Sequence, residues 1–320
     1  MRPEDIKKIA VVGAGLMGHG IALTYALAGY RVALNDINDG ILENAIRHIR
    51  ENLLLFADND LIKHEKIDQA LARVAATTDL EKAVDGADFV TEAIVEDTEA
   101  KRSLFRSLDD LCPPHTILAS NTSSLLISDF GAGTKREDKQ LITHWFNPPH
   151  IVPVVEIVRG PKTSDETVDI AYSLLKKAKK SPVRVLKELP GFLVNRVQSA
   201  AIREVWSLWE QGVASVEDID LAIKGSFGFR LASLGPLQIC DLGGLDLWYR
   251  VGVNLMKEIN NSTEPSPAVK EKVDRGELGL KSGKGFYNYS TDYFKENWDE
   301  VVQKRDREFI RRLKMLYWSE

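Results

Sequence analysis

Cysteine is scarce in this chain. The 320 residues hold two, Cys112 and Cys240, far apart and in no metal-ligand or redox spacing. They are expected as free thiols, which suits a reducing cytoplasm. No apolar stretch reaches the length needed to span a bilayer. The first residues are charged and the first strand pattern begins by Lys8, so no secretion signal is expected in this stretch. An excess of basic residues is missing too. The net charge of −5 gives no long-range attraction for nucleic acid or anionic lipid. There is no internal repeat and no low-complexity tract. What remains is the composition of a soluble globular protein, long enough for two domains with separate cores.

The apolar run Ile9–Val12 leads straight into Gly13-Ala14-Gly15-Leu16-Met17-Gly18. Met17 to Ala28 then reads as a helix, and a second apolar run, Val32 to Leu34, ends at Asp36. Strand, glycine turn, helix, strand and acid in this order predict a dinucleotide site. Gly13 permits the tight turn, Gly15 lets main chain approach a pyrophosphate, and Gly18 lets the helix pack on the strand. The helix start favours the phosphate charge. Asp36 is placed to accept hydrogen bonds from the adenosine ribose and would repel a 2′-phosphate. No basic residue follows it directly, so the expected cofactor is NAD.

Further candidate strands are Phe89–Thr91, Ile117–Ala119, Leu141–Thr143, Val154–Val158 and Val183–Val185. A long charged helical insert, Ile41 to Ala72, lies between the second strand and the third. Alternation of this kind predicts an α/β fold, a doubly wound parallel sheet of Rossmann type. Near Pro190-Gly191 the pattern turns helical, with helices expected over Asn195–Glu210, Ser215–Ile223, Pro236–Ile259 and Pro267–Glu277. The expected domains are a nucleotide-binding domain (1–187), an all-helical substrate and dimerisation domain (188–290) and a helical extension (291–320). In the extension, Trp298–Tyr317 reads as an amphipathic helix with Val301, Val302, Phe309, Ile310, Leu313 and Leu316 on its apolar face. Arg307, Arg311, Arg312 and Lys314 read as its solvated face, with the apolar stripe docked on the body or on a partner subunit.

A dehydrogenase of alcohols needs a base that takes the hydroxyl proton as hydride leaves the same carbon. His19, His48, His64 and His115 have no convergent polar company in the sequence. His144 closes a strand at its carboxyl end, where open parallel sheets place ligands. Glu156 sits inside the apolar run Val154–Val158, where an unpaired carboxylate is costly and a nearby imidazolium would satisfy it. Ser120-Asn121-Thr122-Ser123-Ser124 also follows a strand, so its hydroxyls either reach a substrate oxygen or cap the next turn.

Taken together, GAGLMGHGIA from Gly13, TEAIVED from Thr91, ASNTSS from Ala119, HWFNPPH from His144, PGFLVNR from Pro190 and KSGKGFY from Lys281 closely resemble the L-3-hydroxyacyl-CoA dehydrogenase family. The resemblance implies a nucleotide domain joined to a helical domain that forms a homodimer. It implies His144 as general base, Glu156 as the acid paired with it, Ser123 as the hydroxyl on the substrate's 3-oxygen, and Asn195 as an orienting amide. Dinucleotide contacts fall to Gly13, Gly15, Leu16, Met17, Gly18, Asp36, Glu96, Lys101, Asn121, Asn147 and Lys281. The reaction implied is reversible oxidation of a 3-hydroxyacyl-CoA to the 3-ketoacyl-CoA, as in fatty acid metabolism, with a small-molecule partner and no metal.

Two stretches depart from that pattern. Family members that use coenzyme A typically carry lysines in the helical insert, where they meet the CoA phosphates. Here Phe56 to Lys66 contains Asp58 and Asp60, only partly offset by Lys63 and Lys66. After His144 such members often carry a lysine before the apolar run with its glutamate, whereas this chain reads Ile151-Val152-Pro153. The second half is also similar to the L-gulonate 3-dehydrogenase and lambda-crystallin branch and to L-carnitine dehydrogenase, which oxidise free 3-hydroxy acids. A free hydroxy acid or small polar alcohol is therefore the alternative substrate. A non-catalytic crystallin-like role is a remote third reading.

Overall fold

The computed structural model describes residues 2–290 and 298–318. The remaining positions of the extension, 291–297 and 319–320, lie outside the described residues. Eight strands form one sheet in the order β3-β2-β1-β4-β5-β6-β7-β8. They are β1 Lys8–Val12, β2 Arg31–Asn35, β3 Val74–Thr77, β4 Phe89–Glu92, β5 Ile117–Ser120, β6 Gln140–Trp145, β7 Val154–Arg159 and β8 Ser181–Val185. Helices α1 Gly18–Leu27, α2 Asp39–Asp58, α3 Glu65–Leu71 and α7 Asp165–Lys177 belong with one face. Helices α4 Leu80–Val84, α5 Thr98–Leu111 and α6 Ile127–Phe130 belong with the other. The central strands are buried on both faces, which is why they read as unbroken apolar runs rather than alternating ones.

The sheet is parallel except at one junction. β6 and β7 pair antiparallel, and β7 and β8 again run parallel to each other. The connection 146–153 is too short for a crossover helix, so β7 has to fold back beside β6. This departs from the uniformly parallel sheet expected from the alternation, and it places His144 directly opposite Glu156 in the register.

Three further differences from the sequence pattern have local causes. The insert is two helices, α2 and α3, broken at a turn where Asp60 takes φ +56°. β3 went unpredicted because it is a partly exposed edge strand, held by main-chain pairing to β2 and by Asn35 Nδ2 donating to the Thr77 carbonyl at 2.9 Å. In the second half, α8 Val194–Glu210, α9 Val216–Gly225 and α13 Pro267–Asp274 match the expected helices closely, and a short α10 Phe227–Leu231 is added. The single helix expected over 236–259 is two, α11 Pro236–Gly243 and α12 Leu245–Leu255. Gly244 separates them at φ +86°, a value open to glycine.

The chain divides into two compact units. One holds the residues up to Asn195 together with Asp306–Trp318, and the other holds Arg196–Arg305. The last helix, α14 Trp298–Tyr317, contributes its second half to the first unit, where Ile310 and Leu313 are buried.

Two buried lysines hold the first unit together in different ways. Lys101 on α5 reaches Glu92 at the end of β4 (2.6 Å) and Glu96 (3.3 Å). Lys101→Met leaves the fully buried Glu92 carboxylate without its cation, and about 3–5 kcal/mol of stability is expected to be lost in urea unfolding. Lys180 instead donates to the carbonyls of Pro149 (2.6 Å) and Val152 (2.9 Å), and burial pulls its pKa from 10.5 down to about 7. Unfolding restores the ordinary value, so between these pH values the unfolded chain binds the extra proton. Stability is therefore expected to rise with pH from about 7 toward 10, and Lys180→Met should flatten that slope in thermal melts.

Candidate active site

The glycine loop connects β1 to α1. A Cβ on Gly18 would sit 1.7 Å from the Gly13 carbonyl oxygen, and one on Gly13, which holds φ +99°, would sit 2.4 Å from the Ala93 oxygen. Both positions therefore demand glycine for the turn itself. Gly15 faces open space, where a Cβ would meet nothing within 4 Å. Closely packed glycines flanking an open one fit a phosphate-cradling loop. Leu16 is exposed and Met17 packs against the core beneath. Asp36 follows β2 and braces the loop by accepting from the Ala14 amide (2.7 Å) and the Ile37 amide (2.8 Å). The residues present fit NAD.

A second cluster gathers at the carboxyl ends of β4 and β5. Glu92 is buried and accepts from Lys101, from the Ile94 amide (2.8 Å) and from the Ser120 hydroxyl. Glu96 accepts from the Thr122 hydroxyl and from the amides of Ser123 (2.9 Å) and Ser124 (3.2 Å). Burial alone would raise the Glu96 pKa. The Thr122 hydroxyl, Lys101 and the Ser123 amide outweigh it and hold the carboxyl below its ordinary range. The polar segment 120–124 thus divides its labour. Ser120 is committed to the buried Glu92 carboxylate and Thr122 to the more exposed Glu96, while the Ser123 side chain stays exposed. Glu92 was not singled out in the sequence. Its signal was a glutamate closing an apolar strand, nine residues before a lysine on an amphipathic helix.

The third cluster holds the titratable pair. His144, nearly buried on β6, places Nδ1 2.7 Å from Glu156 Oε2 on β7. The other Glu156 oxygen accepts from the amides of Leu193 (3.0 Å) and Val194 (2.9 Å), at the first turn of α8. Those are N–H groups that a helix start leaves without intrahelical partners. A carboxylate only accepts, so Nδ1 carries a hydrogen, and in the neutral imidazole Nε2 keeps the lone pair. The rings of Phe146 (4.4 Å between centroids) and Phe192 (5.4 Å) flank the imidazole. Asn121 accepts from the Trp145 amide (3.0 Å) and so ties the end of β5 to the residue after His144. Asn195 Nδ2 donates to the Ser123 carbonyl (3.3 Å), which brings those two predicted residues together. Asn147 precedes a cis peptide to Pro148 in the connection beyond β6. Lys281 lies in the second unit, in the lining of a cavity of about 560 Å³ with Trp209 and Phe286. No group of His, Cys, Asp and Glu among the described residues is arranged to hold a metal. No helix among them is long and apolar enough to cross a membrane.

Residues 8–189 match the family described as 3-hydroxyacyl-CoA dehydrogenase, NAD binding domain, and residues 191–289 match its C-terminal domain. Mitochondrial hydroxyacyl-coenzyme A dehydrogenase of Sus scrofa is 38% identical over 291 residues, covering 89% of this chain and 91% of the relative. Among solved structures, a 5-formyl-3-hydroxy-2-methylpyridine 4-carboxylic acid 5-dehydrogenase, described as an NAD+ dependent dismutase, aligns with TM-score 0.89 at 32% identity. It covers 97% of this chain and 98% of its own. The (S)-3-hydroxybutyryl-CoA dehydrogenase of Ralstonia eutropha aligns with TM-score 0.75 at 34% identity, covering 90% and 100%. The glycine loop, the carboxylate after β2 and these matches converge: the chain belongs to the 3-hydroxyacyl-CoA dehydrogenase family and is an NAD-dependent oxidoreductase acting on CH–OH groups.

Proposed function

We propose that this chain oxidises the hydroxyl-bearing carbon of a small, free hydroxy acid or related polar alcohol, with His144 as the proton acceptor. The buried His144–Glu156 pair carries the reading. In the oxidative direction His144 Nε2 takes the hydroxyl proton, and the Glu156 carboxylate, bonded to Nδ1, balances the imidazolium that forms. Bound NAD supplies the hydride acceptor at that carbon. Ser123 and Asn195, joined through the Ser123 carbonyl, position the substrate oxygen. Glu96 and Asn121 shape the turn that carries Ser123, and Lys101 acts through Glu96. In the reverse direction the protonated His144 returns its proton to the carbonyl oxygen.

For the substrate, the sequence leaves a CoA thioester and a free hydroxy acid open. The smaller substrate is favoured by Asp58 and Asp60 at the α2–α3 turn, where phosphates would be repelled. The higher TM-score of the pyridine carboxylic acid dehydrogenase, 0.89 against 0.75 for the 3-hydroxybutyryl-CoA dehydrogenase, points the same way. Reduction of NAD at alkaline pH, followed by absorbance, tests the choice with 3-hydroxybutyrate, gulonate, carnitine and 3-hydroxybutyryl-CoA. Turnover of a free compound is expected to exceed turnover of the thioester, and the opposite order overturns the substrate reading. His144→Gln should lower kcat by about 10²–10⁴-fold while NAD affinity, measured by fluorescence titration, stays unchanged.

We also infer a homodimer built on the second unit. Neither α11 nor α12 buries a residue, and Leu237, Leu242, Leu245 and Tyr249 are each more than three-fifths exposed. Large apolar side chains left exposed along two successive helices fit an association site. Sedimentation should give a dimer, and Leu245→Asp should shift it toward monomer.

A further inference from the structure

Between β8 and α8 the chain takes two left-handed steps in succession. Leu189-Pro190-Gly191-Phe192 closes a turn in which the Phe192 amide donates to the Leu189 carbonyl (2.9 Å) and Gly191 holds φ +76°. Proline followed by a left-handed glycine is what a type II turn asks for, so local sequence accounts for the turn. It does not account for the next residue. Phe192 holds φ +51°, where the Cβ of a bulky side chain crowds the main chain and the conformation persists only if the surroundings impose it. The other two non-glycine residues at such values among the described residues, Asp60 and Lys179, each stand just past the capping residue of a helix, α2 and α7. Left-handed backbone commonly closes a helix at that position. Phe192 precedes a helix, so its conformation has another cause.

What surrounds Phe192 is the titratable pair. The residue is 1% exposed, and its ring packs edge-on to the His144 imidazole, 5.4 Å between centroids. The two amides that follow it, those of Leu193 (3.0 Å) and Val194 (2.9 Å), both donate to Glu156 Oε1. Successive amides that share one acceptor form a concave seat for an anion, and a left-handed residue at the turn is what makes them converge. The other Glu156 oxygen holds His144 Nδ1. Backbone and side chain of Phe192 thus serve opposite ends of one hydrogen-bonded chain: the main chain seats the carboxylate, and the ring covers the imidazole. All of these contacts lie within the first unit. Removing water from around an ion pair strengthens it, and seating the carboxylate on two amides keeps it ionised there.

We propose that Phe192 is a positioning residue for proton transfer: its left-handed backbone holds the Leu193 and Val194 amides on Glu156, and its ring shuts water away from the Glu156–His144 hydrogen bond. The proposal rests on His144 as the proton acceptor, the reading given above. It is tested in the full chain by NMR, through the exchange with water of the His144 Nδ1 hydrogen, a signal identified by its absence from His144→Gln. Alongside it, kcat, KM and NAD affinity are measured with the fastest compound of the panel above. Phe192→Gly keeps the left-handed backbone accessible and removes the ring. Phe192→Val keeps apolar bulk, while its branched Cβ opposes the backbone. Both are expected to speed the exchange at least tenfold and to lower kcat at least tenfold, with KM and NAD affinity within twofold of the parent. In Phe192→Val the Leu193 and Val194 amides are expected to exchange at least tenfold faster as well. Phe192→Leu, apolar and unbranched at Cβ, is expected to restore most of kcat. Unchanged exchange of the Nδ1 hydrogen in Phe192→Gly and Phe192→Val overturns the proposal, and so does a lower melting temperature with kcat intact. If Phe192→Val does not fold, Phe192→Gly and Phe192→Leu decide by the same readouts. A normal kcat for His144→Gln sinks the proton-acceptor reading instead, and the exchange rates still judge whether Phe192 holds the pair.

Discussion

A carboxylate buried to zero exposure sets the terms for the rest of the site. Glu156 can remain ionised there only if donors surround it, and it draws them from two places. One oxygen meets His144 across the β6–β7 ladder, and the other meets the first amides of α8. The same charge therefore orients an imidazole and anchors the start of the next long helix. Separating these functions by mutation would be difficult, because any loss of the carboxylate releases both. The antiparallel pairing matters here: the separation of His144 from Glu156 is fixed by strand register more than by flexible side-chain reach.

The nucleotide side of the molecule is organised by the same logic with other residues. Main-chain crowding at Gly13 and Gly18 fixes the loop, Asp36 braces it from below, and Lys101 carries charge from α5 to two carboxylates at the strand ends. Ionised side chains spend their hydrogen-bonding capacity on main-chain amides and hydroxyls. The turns holding Ser123 and Asn121 are thereby set before any ligand arrives, which is what positioning catalysis requires.

Much of this was legible in the sequence. The strand–glycine–helix start, the histidine at a strand's carboxyl end and the glutamate stranded among valines each violate or satisfy a local rule that can be read without a structure. The legibility failed where a residue's meaning depends on distant partners. The segment 120–124 was open to either substrate contact or a capping turn, and only the fold shows Ser120 claimed by Glu92, twenty-eight residues earlier. Lys101 was placed near the dinucleotide by resemblance alone, and its ion pairs with Glu92 and Glu96 could not be read from spacing. The run Val74–Thr77 was invisible because an edge strand needs no apolar face, only a neighbour's main chain. The reversal at β7 followed from the length of 146–153, a signal present in the sequence but masked by the regular alternation around it.

Both outer strands of the sheet are poor templates. β3 has four residues, and β8 carries Pro182, which offers no amide hydrogen to an incoming strand. An open eight-stranded sheet with two inviting borders would recruit neighbours edge to edge. Here that route to aggregation is blunted at each end, by shortness at β3 and by a missing donor at β8.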